Sequence, residues 1–126
     1  MSFPAAVVDF DTFGEYNVMW ETGLTEVYMP RLIIVRGNSG SGKSSVAKAL
    51  QKEIGRNTLL ISQDTVRREM LWAHDGSETT ALPLLIYLLE YGYRNSEITI
   101  LEGILKASWY EPLFERAMQL FEDSNI

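Results

Sequence analysis

Nine consecutive residues, Gly37-Asn38-Ser39-Gly40-Ser41-Gly42-Lys43-Ser44-Ser45, have the types and spacing of a phosphate-binding loop, G-x-x-x-x-G-K-[ST], with one further serine. Gly37, Gly40 and Gly42 let the backbone curl around an oligophosphate, so that successive N–H groups and the start of a following helix aim at the anion. Lys43 is then placed to reach β and γ phosphates. The Ser44 hydroxyl is placed to ligate a nucleotide-bound Mg²⁺, an octahedral ion that keeps most of its waters. The alternative is a Gly/Ser-rich turn that binds nothing. The flanks disfavour it, because the apolar run Leu32-Ile33-Ile34-Val35 leads in and the helically spaced Val46, Ala47 and Leu50 lead out. The expected ligands are a nucleotide, whose base the loop does not specify, and Mg²⁺.

Two further positions carry chemistry if strands precede them. Asp64-Thr65-Val66-Arg67 follows the apolar Leu59-Leu60-Ile61, at the carboxyl end of a strand where open α/β sheets bind ligands. An aspartate there can orient and deprotonate an acceptor hydroxyl, and an arginine one helical turn later can grip phosphate or an anionic acceptor. The structural alternative makes Asp64 a helix N-cap and Arg67 a solvated helix residue. Glu102 closes Ile98-Thr99-Ile100-Leu101 in the same way, where a carboxylate facing the nucleotide crevice senses Mg²⁺; its alternative is a loop carboxylate. His74 is the one histidine, with no cluster at metal-ligand spacing, and reads as a surface residue. Trp72, Tyr87, Tyr91, Tyr93, Trp109 and Tyr110 read as core aromatics rather than stacking platforms. Arg68, Arg94 and Arg116 read as solvated helix residues, with a phosphate clamp as the alternative.

The elements that must position these residues alternate between strand and helix from Arg31 onward, the pattern of a parallel sheet covered on both faces. Strands are expected at Leu32–Arg36, Thr58–Ser62 and Glu97–Leu101. A helix is expected over Lys43–Ile54, ended by Gly55. A second starts near Thr65 and breaks in the loop His74-Asp75-Gly76-Ser77. A third covers Ala81–Tyr91, with Pro83 in its first turn and Gly92 as its stop. A fourth covers Trp109–Glu122, opened by Ser108 and Glu111 as a capping box. The fold class is α/β, a three-layer α/β/α sandwich. Residues 31–126 form its core, and residues 1–30 an extension that is either disordered or a β-hairpin spanning 17–28 about Thr22-Gly23.

Eleven basic residues against seventeen acidic ones leave a net charge of −6, which disfavours a duplex nucleic-acid face, since that mode needs many cations. With no cysteine there is neither a disulfide framework nor a thiolate metal site, as expected of a cytoplasmic chain. The longest apolar stretch, Ala81 to Leu89, is too short to span a bilayer, and the first residues lack the features of a secretion signal. No membrane partner is expected.

From about Met29 to Phe121 the chain resembles the small P-loop kinases, the group holding zeta toxin, chloramphenicol phosphotransferase and the polynucleotide 5′-hydroxyl kinases. The resemblance rests on the phosphate loop, on Asp64-Thr65-Val66-Arg67 and on Ile100-Leu101-Glu102-Gly103, in that order. It implies transfer of the γ-phosphoryl group of ATP to a hydroxyl of a small molecule or a nucleic-acid end. Lys43 then balances phosphate charge, Asp64 acts as acceptor-side base, Arg67 positions the acceptor, and Ser44 and Glu102 serve Mg²⁺. Members of the group continue into two further strands and an Arg-bearing lid, so this sequence reads as a truncated kinase core. A nucleotide-binding module without transfer activity and a simple hydrolase are the alternatives. The sheet order of the group, 2-3-1-4-5, would leave the phosphate-loop strand as an open edge, to be covered by the 17–28 hairpin or by a second copy of the chain.

Overall fold

The computed structural model describes residues 5–10, 16–20, 30–38 and 42–123. Its strands are β1 (Ala5–Phe10), β2 (Tyr16–Trp20), β3 (Arg31–Gly37), β4 (Leu59–Ser62) and β5 (Ile98–Gly103). Its α-helices are α1 (Lys43–Ile54), α2 (Ala81–Asn95) and α3 (Ala107–Asp123), with a π-helix over Thr65–Met70. The strands form one sheet in the order β2-β1-β3-β5-β4, in which β1, β3, β5 and β4 run parallel and β2 antiparallel to β1. The α/β sandwich is therefore present, with α1 on one face and α2 and α3 on the other.

Burial follows the pleat. Leu32, Ile34, Ile61 and Leu101 pack with Leu85, Leu89, Leu113 and Phe121 under α2 and α3. The alternate residues Ile33, Val35 and Ile100 pack with Ala47 of α1. Both faces of β3 and β5 are apolar because a parallel sheet is covered on both sides. The same alternation decides where Glu102 goes. Two residues beyond Ile100, it emerges on the α1 face, beside the helix that starts in the phosphate loop.

The edge of β3 is not open, as the expected strand set would leave it. β1 pairs with it in parallel, from Ala5 opposite Leu32 to Phe10 opposite Gly37. Residues 17–20 of the expected 17–28 hairpin pair with a strand that precedes them, Ala6 opposite Trp20 through Asp9 opposite Asn17. Residues 21–29, with the Thr22-Gly23 turn, lie outside the described residues, as do Ser39, Gly40 and Ser41. A row of unpaired backbone groups on β3 is costly to leave open, and Ala5–Phe10 supplies a strand to fill it.

Two helix signals had other causes. Gly92 does not stop α2 but lies inside it, where an added Cβ would come within 2.2 Å of Thr99 Oγ1 and 3.0 Å of Leu59 Cδ2. It is small so that α2 can approach the sheet. Ser108 opens no capping box, because α3 begins at Ala107 and its first turn is closed by Trp109 and Tyr110 N–H donating to Lys106 O, both at 2.9 Å. That helix kinks at Tyr110 (φ −111°, ψ 18°), two residues before Pro112. No helix among the described residues is long and apolar enough to cross a membrane.

Candidate active site

The carboxyl ends of three adjacent parallel strands converge. β3 ends at Gly37 in the phosphate loop, β5 at Glu102-Gly103, and β4 at Ser62, with Ser62 and Val35 both opposite Glu102. Gly42 takes the N-cap position of α1 with φ 90°, a left-handed conformation that admits glycine cheaply. No side chain caps this helix and no acidic residue lies in its first turn. The helix N-terminus thus presents N–H groups and a positive dipole end to an anion.

Lys43, 8% exposed, donates from Nζ to Asn38 O at 3.3 Å, spanning the loop from its last turn to its first. Ser44 donates from Oγ to Glu102 Oε2 at 3.3 Å. Glu102 is 3% exposed, and an ionised carboxylate is costly to bury unless it is paired or serves a cation. A hydroxyl and a carboxylate are hard oxygen donors suited to Mg²⁺. Among the described residues no group of three acidic or histidine side chains could hold a metal alone, so the ion that fits here is one completed by phosphate oxygens and water. Gly37 and Asn38 border the loop on the β3 side; Ser45 is exposed in the first turn of α1.

Asp64 stands two residues past β4, in αR backbone with no side-chain cap bond. The capping task falls to Ser62, whose Oγ accepts from Thr65 N–H at 3.3 Å. The Asp64 carboxylate instead meets Arg68 Nε at 2.9 Å and Arg67 Nη2 at 3.2 Å, both on Oδ1. Arg67 is not a solvated helix residue. Its side chain is 14% exposed, turned inward between Asp64, Asp75 (Nε to Oδ2, 3.7 Å) and Ala73 O, to which Nη1 donates at 3.4 Å. The π-helix widens the turn that carries it, and Ala73 N–H reaches back to Arg67 O at 2.8 Å.

A cavity of about 500 Å³ joins the two halves. Ser44, Lys48 and Glu102 line its phosphate-loop side, Asp64 and Glu69 its opposite side, with apolar floor from Leu59, Met70 and Leu88. Neither Arg67 nor Arg68 lines it. The structure thus brings Ser44, Glu102 and Asp64 to one cavity and sets Arg67 behind Asp64.

The sequence profile of the AAA domain family matches residues 32–123. The chain belongs to this family. It is a P-loop NTPase-like family that includes kinases, and its membership makes this a nucleotide-binding P-loop domain. Comparison with curated proteins gave no match, and comparison with solved structures gave none either. The family match spans the phosphate loop, Asp64 and Glu102 and begins after β1 and β2.

Lys48, Glu69, Gln63 and Asp75 were not legible as site residues, because each is an ordinary polar residue in an ordinary local setting. Tyr110 reads as core and is fully buried, yet its hydroxyl has two partners, Asp75 and Gln63. Tyr93 is core as well, edge-on to Phe121 at 5.4 Å. Trp72, Tyr87 and Tyr91 are exposed. His74 is exposed, as expected. Arg68 and Arg116 hold ion pairs, with Asp64 and Glu90 respectively.

Proposed function

We propose that the protein transfers the γ-phosphoryl group of ATP to a hydroxyl of a small molecule. The observation that supports this reading is the single cavity bounded by Ser44 and Glu102 on one side and by Asp64 on the other. Its volume suits a small acceptor. With Asp64, Glu69 and Glu102 in its lining against the single cation Lys48, an uncharged or cationic alcohol fits better than a phosphorylated nucleic-acid end. In the transfer, the acceptor oxygen forms a bond to the γ-phosphorus as the bond to the β–γ bridging oxygen breaks. The hydroxyl proton passes to Asp64, and ADP leaves with the electron pair. Asp64 Oδ1 is engaged by two guanidinium groups, which leaves Oδ2 as the oxygen to take that proton. Lys43 and the N–H groups at the start of α1 hold phosphate charge in place. Mg²⁺, held through Ser44 and Glu102, would supply further charge stabilisation at the phosphates.

A second reading, a nucleotide-binding module or hydrolase without transfer, is favoured by one observation. Arg67 and Arg68 are both committed to carboxylates, so neither faces the place where transition-state charge would develop. Incubation with labelled ATP, Mg²⁺ and a panel of neutral, cationic and phosphorylated alcohols, read by mass spectrometry, separates the readings. Label on a neutral or cationic acceptor supports transfer. Phosphate release independent of acceptor means a hydrolase, and binding without turnover means a module.

A further inference from the structure

Five side chains form a closed ring beside the cavity. Asp64 Oδ1 meets Arg67 Nη2 at 3.2 Å, and Arg67 Nε faces Asp75 Oδ2 at 3.7 Å. Asp75 Oδ1 accepts from Tyr110 O–H at 2.6 Å and from Gly76 N–H at 2.9 Å. The Tyr110 oxygen accepts from Gln63 Nε2 at 2.7 Å, and Gln63 is the residue before Asp64, which closes the circuit. Gln63 is also wedged against β5, since a Cβ on Gly103 would lie 2.7 Å from Gln63 Cβ. The ring is therefore braced on the residue after Glu102, and it ties the acceptor side of the cavity to the phosphate side.

Stability alone is a poor reason to build it. Tyr110 is 0% exposed and Gln63 2% exposed, and replacing hydrogen-bonded partners at such buried places by apolar residues of like shape can be nearly neutral for stability. Arg67 Nε is buried with no hydrogen bond, its only compensation being the ion pair to Asp75 at 3.7 Å. The backbone departs from regular geometry at each segment that feeds the ring. Arg67 rides on the π-helix, Trp72 before Ala73 and Asp75 has φ 51° while 93% exposed, and Tyr110 sits at the kink of α3. Irregular backbone and wide helical turns of this kind collect where a side chain must be aimed.

We propose that Asp75 and Tyr110 are positioning residues for Asp64, holding its carboxylate toward the cavity through Arg67 and Gln63. The role rests on the assignment of Asp64 as acceptor-side base. Neither residue touches the cavity, so each acts only through the ring.

The test uses Tyr110→Phe, which keeps the ring packing and removes one oxygen, and Asp75→Asn, which keeps shape and removes charge. Two readouts are needed. The first is hydrogen exchange of the Arg67 Nε–H by NMR, which does not depend on turnover. It is slow in wild type and at least tenfold faster in both variants. The second is transfer of label from ATP. Each variant lowers kcat by roughly ten- to a hundredfold, as a misplaced reacting group does, with nucleotide affinity within twofold of wild type. Combined with Asp64→Asn, neither adds further loss, because each acts through that carboxylate. Additive losses, or nucleotide affinity falling in step with kcat, would make the ring a stability framework and overturn the proposal while leaving Asp64 its role. Fast exchange of Nε–H in wild type would show that the ring does not form. A wild type with protected Nε–H and bound nucleotide that labels no acceptor would overturn the transfer reading, and the positioning role with it.

Discussion

Two strand-to-helix passages stand side by side at the carboxyl edge of the sheet, and they are built differently. The passage from β3 to α1 is local. Gly42 turns the chain, α1 follows for twelve regular residues, and Lys43 and Ser44 leave its first turn already aimed. The passage from β4 to α2 is held by distant residues. Its π-helix lasts six residues, its arginine is tied to a loop six to eight positions later, and the tyrosine that anchors that loop comes from α3. Phosphate is an invariant ligand that a contiguous loop can recognise with backbone groups. In the proposed transfer the acceptor is the variable partner, and the side of the cavity assigned to it is assembled from side chains that only packing brings together.

Substitutions at Asp64 should break this division most sharply. Asp64→Asn is expected to lower transfer by roughly 10² to 10⁴ while nucleotide affinity stays near wild type, since in the proposed reaction the carboxylate serves the acceptor and not ATP. Equal loss of both, by transfer assay and calorimetric titration, would erase the distinction between the two passages.

Lys43→Ala tests the phosphate side. Wild type should gain about 2.7 kcal/mol of stability at a hundredfold excess of nucleotide over its dissociation constant, and the variant should gain none. A thermal shift that survives the substitution would remove the phosphate loop from nucleotide binding.

The seam between the passages is Gly103. An alanine there would place Cβ 2.7 Å from Gln63 Cβ at a backbone φ of 155°. Gly103→Ala should destabilise by about 1–3 kcal/mol, seen as a lower urea midpoint at unchanged slope. No change in midpoint would mean that Gln63 is not wedged against β5.

A last effect is one of pH. Burial first, and then the hydrogen bond to the Asp75 carboxylate, push the Tyr110 hydroxyl from its ordinary 10 up to about 12. The folded state favours the protonated phenol, so this stabilisation is fully present below pH 10 and is lost as pH rises through about 12. Urea midpoints recorded between those values should fall in wild type and stay flatter in Tyr110→Phe. The same alkaline slope in both would place the hydroxyl outside the ring.

Of the elements, those governed by local rules were readable. The extent of α1 follows from its helical spacing and Gly55, and β5 from an apolar run that ends in a carboxylate. Gly92 was misread because a glycine near the end of a helical pattern has two causes, a stop or a close approach, and only the position of Thr99 chooses between them. Ser108 and Glu111 have the capping-box spacing, but the helix starts one residue before Ser108, so the cap position is not theirs. The strand at Ala5–Phe10 was missed because short apolar segments pair with whatever edge is vacant, and vacancy is a property of the assembled sheet.

For the site, the phosphate-loop pattern, the carboxylate at the end of β5 and the aspartate after β4 are all legible in the sequence. Each is written within a few residues of a strand end, where the fold class already says that ligands bind. That Arg67 turns inward rather than outward follows from the packing around it and not from its place in the sequence. Packing likewise makes Asp75 and Tyr110, thirty-five positions apart, share a hydrogen bond, and lets Gln63 complete their circuit. The reason is physical. Backbone geometry and side-chain period are short-range and repeat along the chain, whereas partnering of buried polar groups depends on which segments packing has brought within about 3 Å of one another.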